Sequence, residues 1–326
     1  MNDAAPPSLL PDFAAVLAAA ARIAPLAHVT PVLRSRSLDT LAGCELHFKG
    51  EHLQRTGSFK FRGACNAIWS LSDADAARGV VTHSSGNHGA ALALAARTRG
   101  IACHVVVPEG VVASKLAAIA AYGATLHHCA PSIAAREALC GQVQRATGAE
   151  LVHPYTDTRV IAGQGTATLE LLANGTAFDA LVVPVGGGGL ASGTAIAAAA
   201  LAPATRLFLA EPSGAAETWA SLQRGERVTD FVPDTICDGL RGTLGAPNFT
   251  VLQQHRAEVL TVDDAATVAA MRLLWQRSKQ LVEPSSAVAL AAVLGHPDRF
   301  AGQRVGLVLS GGNVDLDALP ALFARG

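Results

Sequence analysis

Short β-branched runs alternate with alanine-rich stretches along most of this chain, and that alternation limits the fold more than any single residue does. Strands are predicted at 44–49, 79–83, 103–107, 124–128, 181–185, 206–210 and 304–309, and helices at 58–71, 88–99, 113–122, 132–147, 163–173, 190–201 and 263–279. Strand–helix–strand repetition implies mostly parallel sheets covered by helices, an α/β fold. Runs such as Val105-Val106-Val107 and Leu181-Val182-Val183 suit strands buried on both faces. One local pattern recurs, in which a strand ends and a Ser/Gly-rich turn opens the next element. It appears at 82–89, 184–190 and 309–313. Ligands of parallel α/β sheets bind beyond the carboxyl ends of strands, so three such turns point to one small-molecule site.

Composition removes several classes. With 326 residues, 50% of them hydrophobic, the chain builds a sizeable core and is not disordered. A net charge of −1 gives no basic face for nucleic acid. Cysteines 44, 65, 103, 129, 140 and 237 form no C-x-x-C pair and read as reduced thiols of a cytoplasmic protein. The opening residues lack the basic segment of a signal peptide. The uncharged stretch 180–205 resembles a membrane span in hydropathy alone. Pro184, four glycines and Pro203 make it a buried strand, a turn and a buried helix instead.

Only four lysines, at 49, 60, 115 and 279, are available for amine chemistry. Lys60 stands between Phe59 and Phe61 at a predicted helix start, where apolar neighbours and the Arg62 cation would lower its pKa, as Schiff-base formation requires; on position alone the favoured alternative is an ordinary surface lysine. Ser58 or Thr56 is expected to cap that helix. Gly186, Gly187, Gly188 and Gly189 lie between a strand and a helix. There the backbone can approach an anion and the helix supplies free N–H groups, unless the turn is simply a flexible one. No lysine follows, and the spacing is not that of a dinucleotide fingerprint, so a smaller phosphorylated cofactor is expected. The turn Ser84-Ser85-Gly86-Asn87-His88-Gly89 offers donors for a carboxylate or cofactor oxygen; its alternative is helix capping by Ser or Asn. Glu211 and Glu217 flank a Pro/Gly turn and suit a hard cation such as Mg²⁺ or Ca²⁺, or else a solvated acidic helix start. His127-His128-Cys129 is not a convincing zinc tract, because strand neighbours point to opposite faces.

Taken together, residues 57–64, 84–89, 161–166, 186–189 and 310–313 resemble the fold-type II pyridoxal-phosphate (PLP) enzymes, tryptophan synthase β-like, in their serine racemase and serine/threonine dehydratase branch. The resemblance spans residues 30 to 316 and implies two open, twisted, mostly parallel sheets covered by helices. It implies a large PLP-binding domain from 1–69 and 154–326, and a small mobile domain from 70–153. Lys60 matches the lysine that carries PLP and acts as base. Phe59 and Gly239 match the residues that sandwich the ring, Asn87 the partner of its 3′-oxygen, Gly186–Gly189 the phosphate loop, and Ser310 the partner of the ring nitrogen. Ser84, Ser85 and His88 match the substrate-carboxylate turn, and Ser85 the serine that exchanges the α-proton from the other face in racemases. Glu211, the Ala215 carbonyl and Glu217 match a divalent-cation site. A serine at the ring nitrogen does not hold it protonated as a carboxylate would, which favours expulsion of a β-leaving group over transamination.

Three positions depart from the racemase pattern: Tyr155 for Asn, Gly242 for Ser and Glu217 for Asp. The first two put serine specificity in doubt and point toward threonine dehydratases. Arg136 matches an arginine that reaches a distal carboxylate, or is a solvated helix residue. Since the sequence stops at Gly326, isoleucine feedback through a further domain is not expected. The expectation is a homodimeric PLP-dependent ammonia-lyase of L-serine or L-threonine, with serine racemase activity alongside. Its rivals are a 3-hydroxyaspartate dehydratase, a β-replacement synthase and, from another class, a catalytically silent PLP- or amino-acid-binding protein. Neither nucleic acid nor membrane is an expected partner.

Overall fold

A computed structural model describes residues 10–111, 113–173 and 175–324. The opening segment up to residue 9, read from sequence as lacking a signal peptide, lies outside the described residues. Among the described residues are ten strands: β1 (Val32–Leu33), β2 (Glu45–Lys49), β3 (Val80–Thr82), β4 (Cys103–Pro108), β5 (Thr125–Cys129), β6 (Glu150–Leu151), β7 (Ala180–Pro184), β8 (Arg206–Pro212), β9 (Glu258–Val262) and β10 (Arg304–Val308). They form a six-stranded sheet in the order β1-β2-β10-β7-β8-β9 and a four-stranded sheet in the order β5-β4-β3-β6. Every pairing is parallel except that of β1 with β2. This is the α/β architecture the alternation implies. The chain enters the four-stranded sheet after β2 and leaves it before β7, so the smaller sheet is an insertion within the larger.

All seven predicted strands are found within a residue or two. The three missed ones are the two-residue strands β1 and β6 and the edge strand β9, whose Glu258-Val259-Leu260-Thr261-Val262 is only partly buried. The helix predicted at 263–279 departs from expectation. Regular α-helix stops at Leu273, a π-helical turn runs over Leu274–Ser278, and Lys279 takes a left-handed φ of 57°. There the Ser278 hydroxyl donates to the Leu274 carbonyl at 2.6 Å, competing with the backbone ladder. No helix is long and apolar enough to cross a membrane among the described residues; 180–205 folds as β7, a turn and the helix Gly189–Leu201.

Helix Thr158–Leu172, whose cap Asp157 accepts from the Arg159 amide at 2.9 Å, is the hub that positions the site. On one side, a Cβ at Gly163 would lie 2.6 Å from the Gly63 Cα of helix Lys60–Trp69. On the other, a Cβ at Gly193 of helix Gly189–Leu201 would lie 2.5 Å from the Gly165 nitrogen. Glycines at these crossings let the three helix backbones touch. The lysine-bearing helix and the glycine-loop helix are therefore fixed against a common partner.

A buried charge cluster anchors the first of them. Arg62, wholly buried, donates to Glu51 at 2.7 and 2.9 Å and to Glu170 at 2.7 and 2.8 Å. Lys49 adds bonds of 2.6 Å to Glu170 and to the Thr30 carbonyl. Every charge is met by an opposite one, the condition under which buried ions are tolerated.

Candidate active site

Turns that follow β3, β6, β7 and β10 converge at the carboxyl ends of their strands. The Lys60 amine lies among them, donating to the Pro154 carbonyl at 2.9 Å and standing 5.2 Å from the centroid of the Phe59 ring. Withdrawal from water lowers its pKa to about 8, against the opposing pull of the Glu283 carboxylate. The sequence attributed part of such a shift to Arg62; in the structure Arg62 is engaged in the ion cluster and is not among the causes. The expected cap is also absent. No side chain caps helix Lys60–Trp69, Phe59 occupies the cap position, and the buried Ser58 hydroxyl has no partner. Ser58 is instead paired across an isolated antiparallel bridge with Gly311, and the Phe59 amide donates to the Ser310 carbonyl at 3.0 Å. That pairing brings Ser310, 4% exposed, beside the lysine turn.

Gly186–Gly189 form the turn between β7 and helix Gly189–Leu201. Gly188 has φ of +91°, where a side chain would be strained, and a Cβ there would also meet Leu244 at 2.6 Å. A Cβ at Gly186 would stand 2.8 Å from the Leu240 Cα, next to Gly239, whose own amide donates to the Ser285 hydroxyl at 2.9 Å. The first-turn amides of the glycine-loop helix have no helical acceptor, so backbone donors and the positive helix end are available to an anion. Tyr155 joins this loop to the lysine. It follows Pro154 directly, and its ring covers Gly187. Asn248 ties the two segments by donating to the carbonyls of Tyr155 and Gly187.

The 84–89 turn meets the same region through imidazoles. His83 packs edge-on against His153 with centroids 5.0 Å apart, and His153 against Tyr155 at 4.6 Å. His153 Nδ1 accepts from the amides of Tyr155 and Thr156, and burial pushes its pKa down to about 3, so it is neutral. His88 is buried against the Val152 carbonyl at 3.3 Å; desolvation, and then the Lys60 charge, hold it well below its usual pKa. Ser84 and Ser85 do not cap helix Asn87–Arg99: Gly86 is the cap residue and no side chain bonds there. The Asn87 amide lies between Glu283 and Asn313. Arg136, on helix Ile133–Thr147, sits close enough for its charge to lower the pKa of His83, after the larger effect of burial. Neither Glu283 nor His153 was singled out from sequence, and no motif surrounds Glu283. Asn313 closes the 310–313 turn and was legible as part of it.

Glu211 and Glu217 are buried, which corrects the solvated alternative. Glu211 accepts from the amides of Thr218 and Trp219 at 2.8 and 2.9 Å, capping the helix Glu217–Arg224. Desolvation pushes its carboxyl up to about 7, and desolvation with the neighbouring Glu211 pushes Glu217 up to about 8. Glu217 Oε1 accepts from the Leu244 amide at 3.1 Å, while its buried Oε2 has no partner. Leu244, whose amide meets Glu217, is also the residue that a Cβ at Gly188 would strike, so the pair borders the glycine loop. No group of three or more His, Cys, Asp or Glu is arranged to hold a metal among the described residues. His127 packs on His104, ring nitrogens 3.1 Å apart, rather than gathering with His128 and Cys129.

A depressed amine and a glycine anion loop, set at the carboxyl ends of parallel strands, define an α/β enzyme built around a phosphorylated carbonyl-type ligand. The chain belongs to the pyridoxal-phosphate dependent enzyme family, whose pattern it matches over residues 23–311. It is 45% identical to the β-hydroxyaspartate dehydratase of Paracoccus denitrificans, over 95% of this chain and 99% of that protein. It is 47% identical to the serine racemase of Dictyostelium discoideum, over 93% and 94% of the two chains. The solved serine racemase of maize superposes with a TM-score of 0.92 at 43% identity, over 96% of this chain and 97% of that one.

Proposed function

We propose that the protein is a PLP-dependent ammonia-lyase that removes the α-proton and β-hydroxyl of L-serine or L-threonine as water, leaving an enamine that a water molecule hydrolyses to a 2-keto acid and ammonia. The observation that carries this is the half-buried Lys60 amine, brought down to about 8 and held on the Pro154 carbonyl, whose next residue covers the glycine loop. The residues present fit the cofactor: glycines at 186–188, where Cβ atoms would strike Leu240, Tyr155 and Leu244, let the loop backbone pack this closely, and the buried Asn248 Oδ1 beside Gly188 has no protein partner. When bound, PLP supplies an electron sink for the pair left on the α-carbon. Lys60 holds the cofactor and takes the proton; a base near pKa 8 is useful at neutral pH. The amides of Gly186 to Gly189 would hold the phosphate, Phe59 and Gly239 would flank the ring, Asn87 would meet its oxygen and Ser310 its nitrogen. Ser84, Ser85 and His88 receive the substrate carboxylate. Ser85 supplies a second proton-exchanging group, which supports serine racemisation alongside elimination.

A second reading is 3-hydroxyaspartate as substrate. Arg136 has no carboxylate partner among the described residues, its charge acts on His83 and Tyr155, and the Paracoccus relative is named for that activity. A panel of L- and D-serine, L-threonine and the 3-hydroxyaspartate isomers, read as keto acid formed, separates the two. Turnover confined to hydroxyaspartate overturns the first reading.

Glu211, the Ala215 carbonyl and Glu217 are the proposed Mg²⁺ or Ca²⁺ ligands, supported by the unpartnered Glu217 Oε2 and by two carboxyls that burial alone disfavours as anions. The two sheets support residues 70–153 as a smaller domain closing on one formed by 1–69 and 154–326. Exposed Leu53 and Leu281, flanking the His52–Gln280 hydrogen bond, support a homodimer, which light scattering tests. Six buried free cysteines support a cytoplasmic setting.

A further inference from the structure

No motif accounts for Glu283, a side chain 7% exposed at the start of helix Pro284–Gly295. A buried carboxylate is costly unless donors meet it. Its Oε1 accepts from Asn87 Nδ2 at 2.8 Å, and its backbone amide donates to the Gly311 carbonyl at 3.1 Å. Asn87 is held from the other side as well. Asn313 Nδ2 donates to Asn87 Oδ1 at 2.8 Å and to the Thr56 carbonyl at 2.7 Å. Two glycines leave the room for this arrangement: a Cβ at Gly311 would stand 2.6 Å from Glu283 Oε1, and one at Gly57 would stand 2.5 Å from Asn313 Oδ1.

These bonds decide which way the Asn87 amide points. A carboxylate oxygen accepts and an amide NH₂ donates, so the Asn87 oxygen faces Asn313 and its nitrogen faces Glu283. That nitrogen carries two hydrogens, and Glu283 takes one.

Resting on the cofactor reading above, we propose that Glu283 and Asn313 are positioning residues. They fix the Asn87 carboxamide so that its second N–H is presented to an acceptor oxygen on the cofactor ring, and they tie the first turn of helix Asn87–Arg99 to the Lys60 turn. Glu283 has a second effect through its charge, which favours a proton on the Lys60 nitrogen. Among the described residues, His88 and His153 also feel the Lys60 charge, and both are held neutral, chiefly by burial.

The test uses full-length Glu283→Gln, Glu283→Ala, Asn313→Ala and Asn87→Ala proteins and the Glu283→Ala/Asn87→Ala double variant. Cofactor affinity is read by fluorescence titration with PLP, and the visible absorbance of the loaded proteins is titrated with pH. Glu283→Gln keeps an acceptor oxygen and loses the charge. Its affinity stays within about twofold, while the absorbance midpoint moves to lower pH. Glu283→Ala and Asn313→Ala weaken cofactor binding by about three- to tenfold, the size of one hydrogen bond. Adding Glu283→Ala to Asn87→Ala produces no further loss of affinity. Wild-type-like binding by both Glu283→Ala and Asn313→Ala, or additive losses in the double variant, overturns the clamp and leaves the cofactor reading standing. A wild-type chain that neither binds PLP nor absorbs in the visible overturns both. Should the alanine variants fail to fold, Glu283→Gln decides: an unmoved midpoint overturns the proposal.

Discussion

The ring of Tyr155 lies so close over Gly187 that a Cβ at position 187 would stand 2.4 Å from its Cγ and Cδ1. Gly242 lies beyond the same ring, where a Cβ would be 3.6 Å from Tyr155 Cε1. Tyr155 and Gly242 depart together from the Asn and Ser of the racemase pattern, and in the structure they are neighbours, with a Cβ at 242 in ordinary van der Waals contact with the ring.

Gly187→Ala therefore overpacks the loop, at a cost of about 1–3 kcal/mol. Thermal melts will show the loss, and PLP titration a weakened cofactor affinity. Adding Tyr155→Ala removes the obstructing ring and restores most of the stability. A double variant no more stable than Gly187→Ala alone contradicts the contact.

Lys60 sets a pH dependence for cofactor capture by the apoprotein. Its folded pKa is depressed, from 10.5 to about 8, so the neutral amine that attacks a carbonyl is present in a fraction of about a tenth at pH 7. Capture followed by stopped-flow absorbance accelerates about tenfold per unit up to about pH 8 and then levels. The linked stability runs the same way: the unfolded chain binds the extra proton between about 8 and 10.5, so this group's contribution is present above 10.5 and is lost as pH falls through about 8. A capture rate still rising steeply at pH 10 would show an ordinary amine.

Arg136→Ala distinguishes the two substrate readings. A desolvated guanidinium–carboxylate contact is worth about 1.5–3 kcal/mol, so kcat/KM for a 3-hydroxyaspartate falls by about ten- to a hundredfold. Turnover of serine and threonine changes little. Equal losses on all substrates would make Arg136 a structural residue.

The cation reading predicts that EDTA lowers the melting temperature and that Mg²⁺ or Ca²⁺ restores it, because a ligand bound only by the folded state stabilises by mass action. Glu217→Gln removes the response to added cation. A melting temperature indifferent to both EDTA and cation refutes the site.

Arg62→Ala leaves Glu51 buried without its partner, and breaking such a pair costs about 3–5 kcal/mol. Arg62→Lys does not rescue it, since one ammonium cannot make paired bonds to both Glu51 and Glu170. Chemical denaturation measures both.

Much of the scaffold was legible because its signals are local. β4 and β7 are apolar β-branched runs, and each glycine turn follows a strand directly. Helix Pro284–Gly295 was missed for the opposite reason: it is buried nearly all round, so its Ala/Val sequence carries no amphipathic period. With it went Glu283, whose partner Asn87 lies 196 residues away. The same limit explains the error over Arg62. Sequence neighbours suggested a cation beside Lys60, but the salt bridges that claim it come from Glu51 and Glu170, and the second is 108 residues distant.

Arg62 and Lys60 stand two residues apart, about 200° around one helix at about 100° per residue. One side chain is gripped by Glu51 and Glu170 while the other reaches the Pro154 carbonyl. Turning that helix about its axis would pull the guanidinium out of its carboxylates, so the ion cluster acts as a torsional lock. Lys60 is a flexible tether on a post that does not rotate, and the reach of its nitrogen is set by its own side-chain torsions alone.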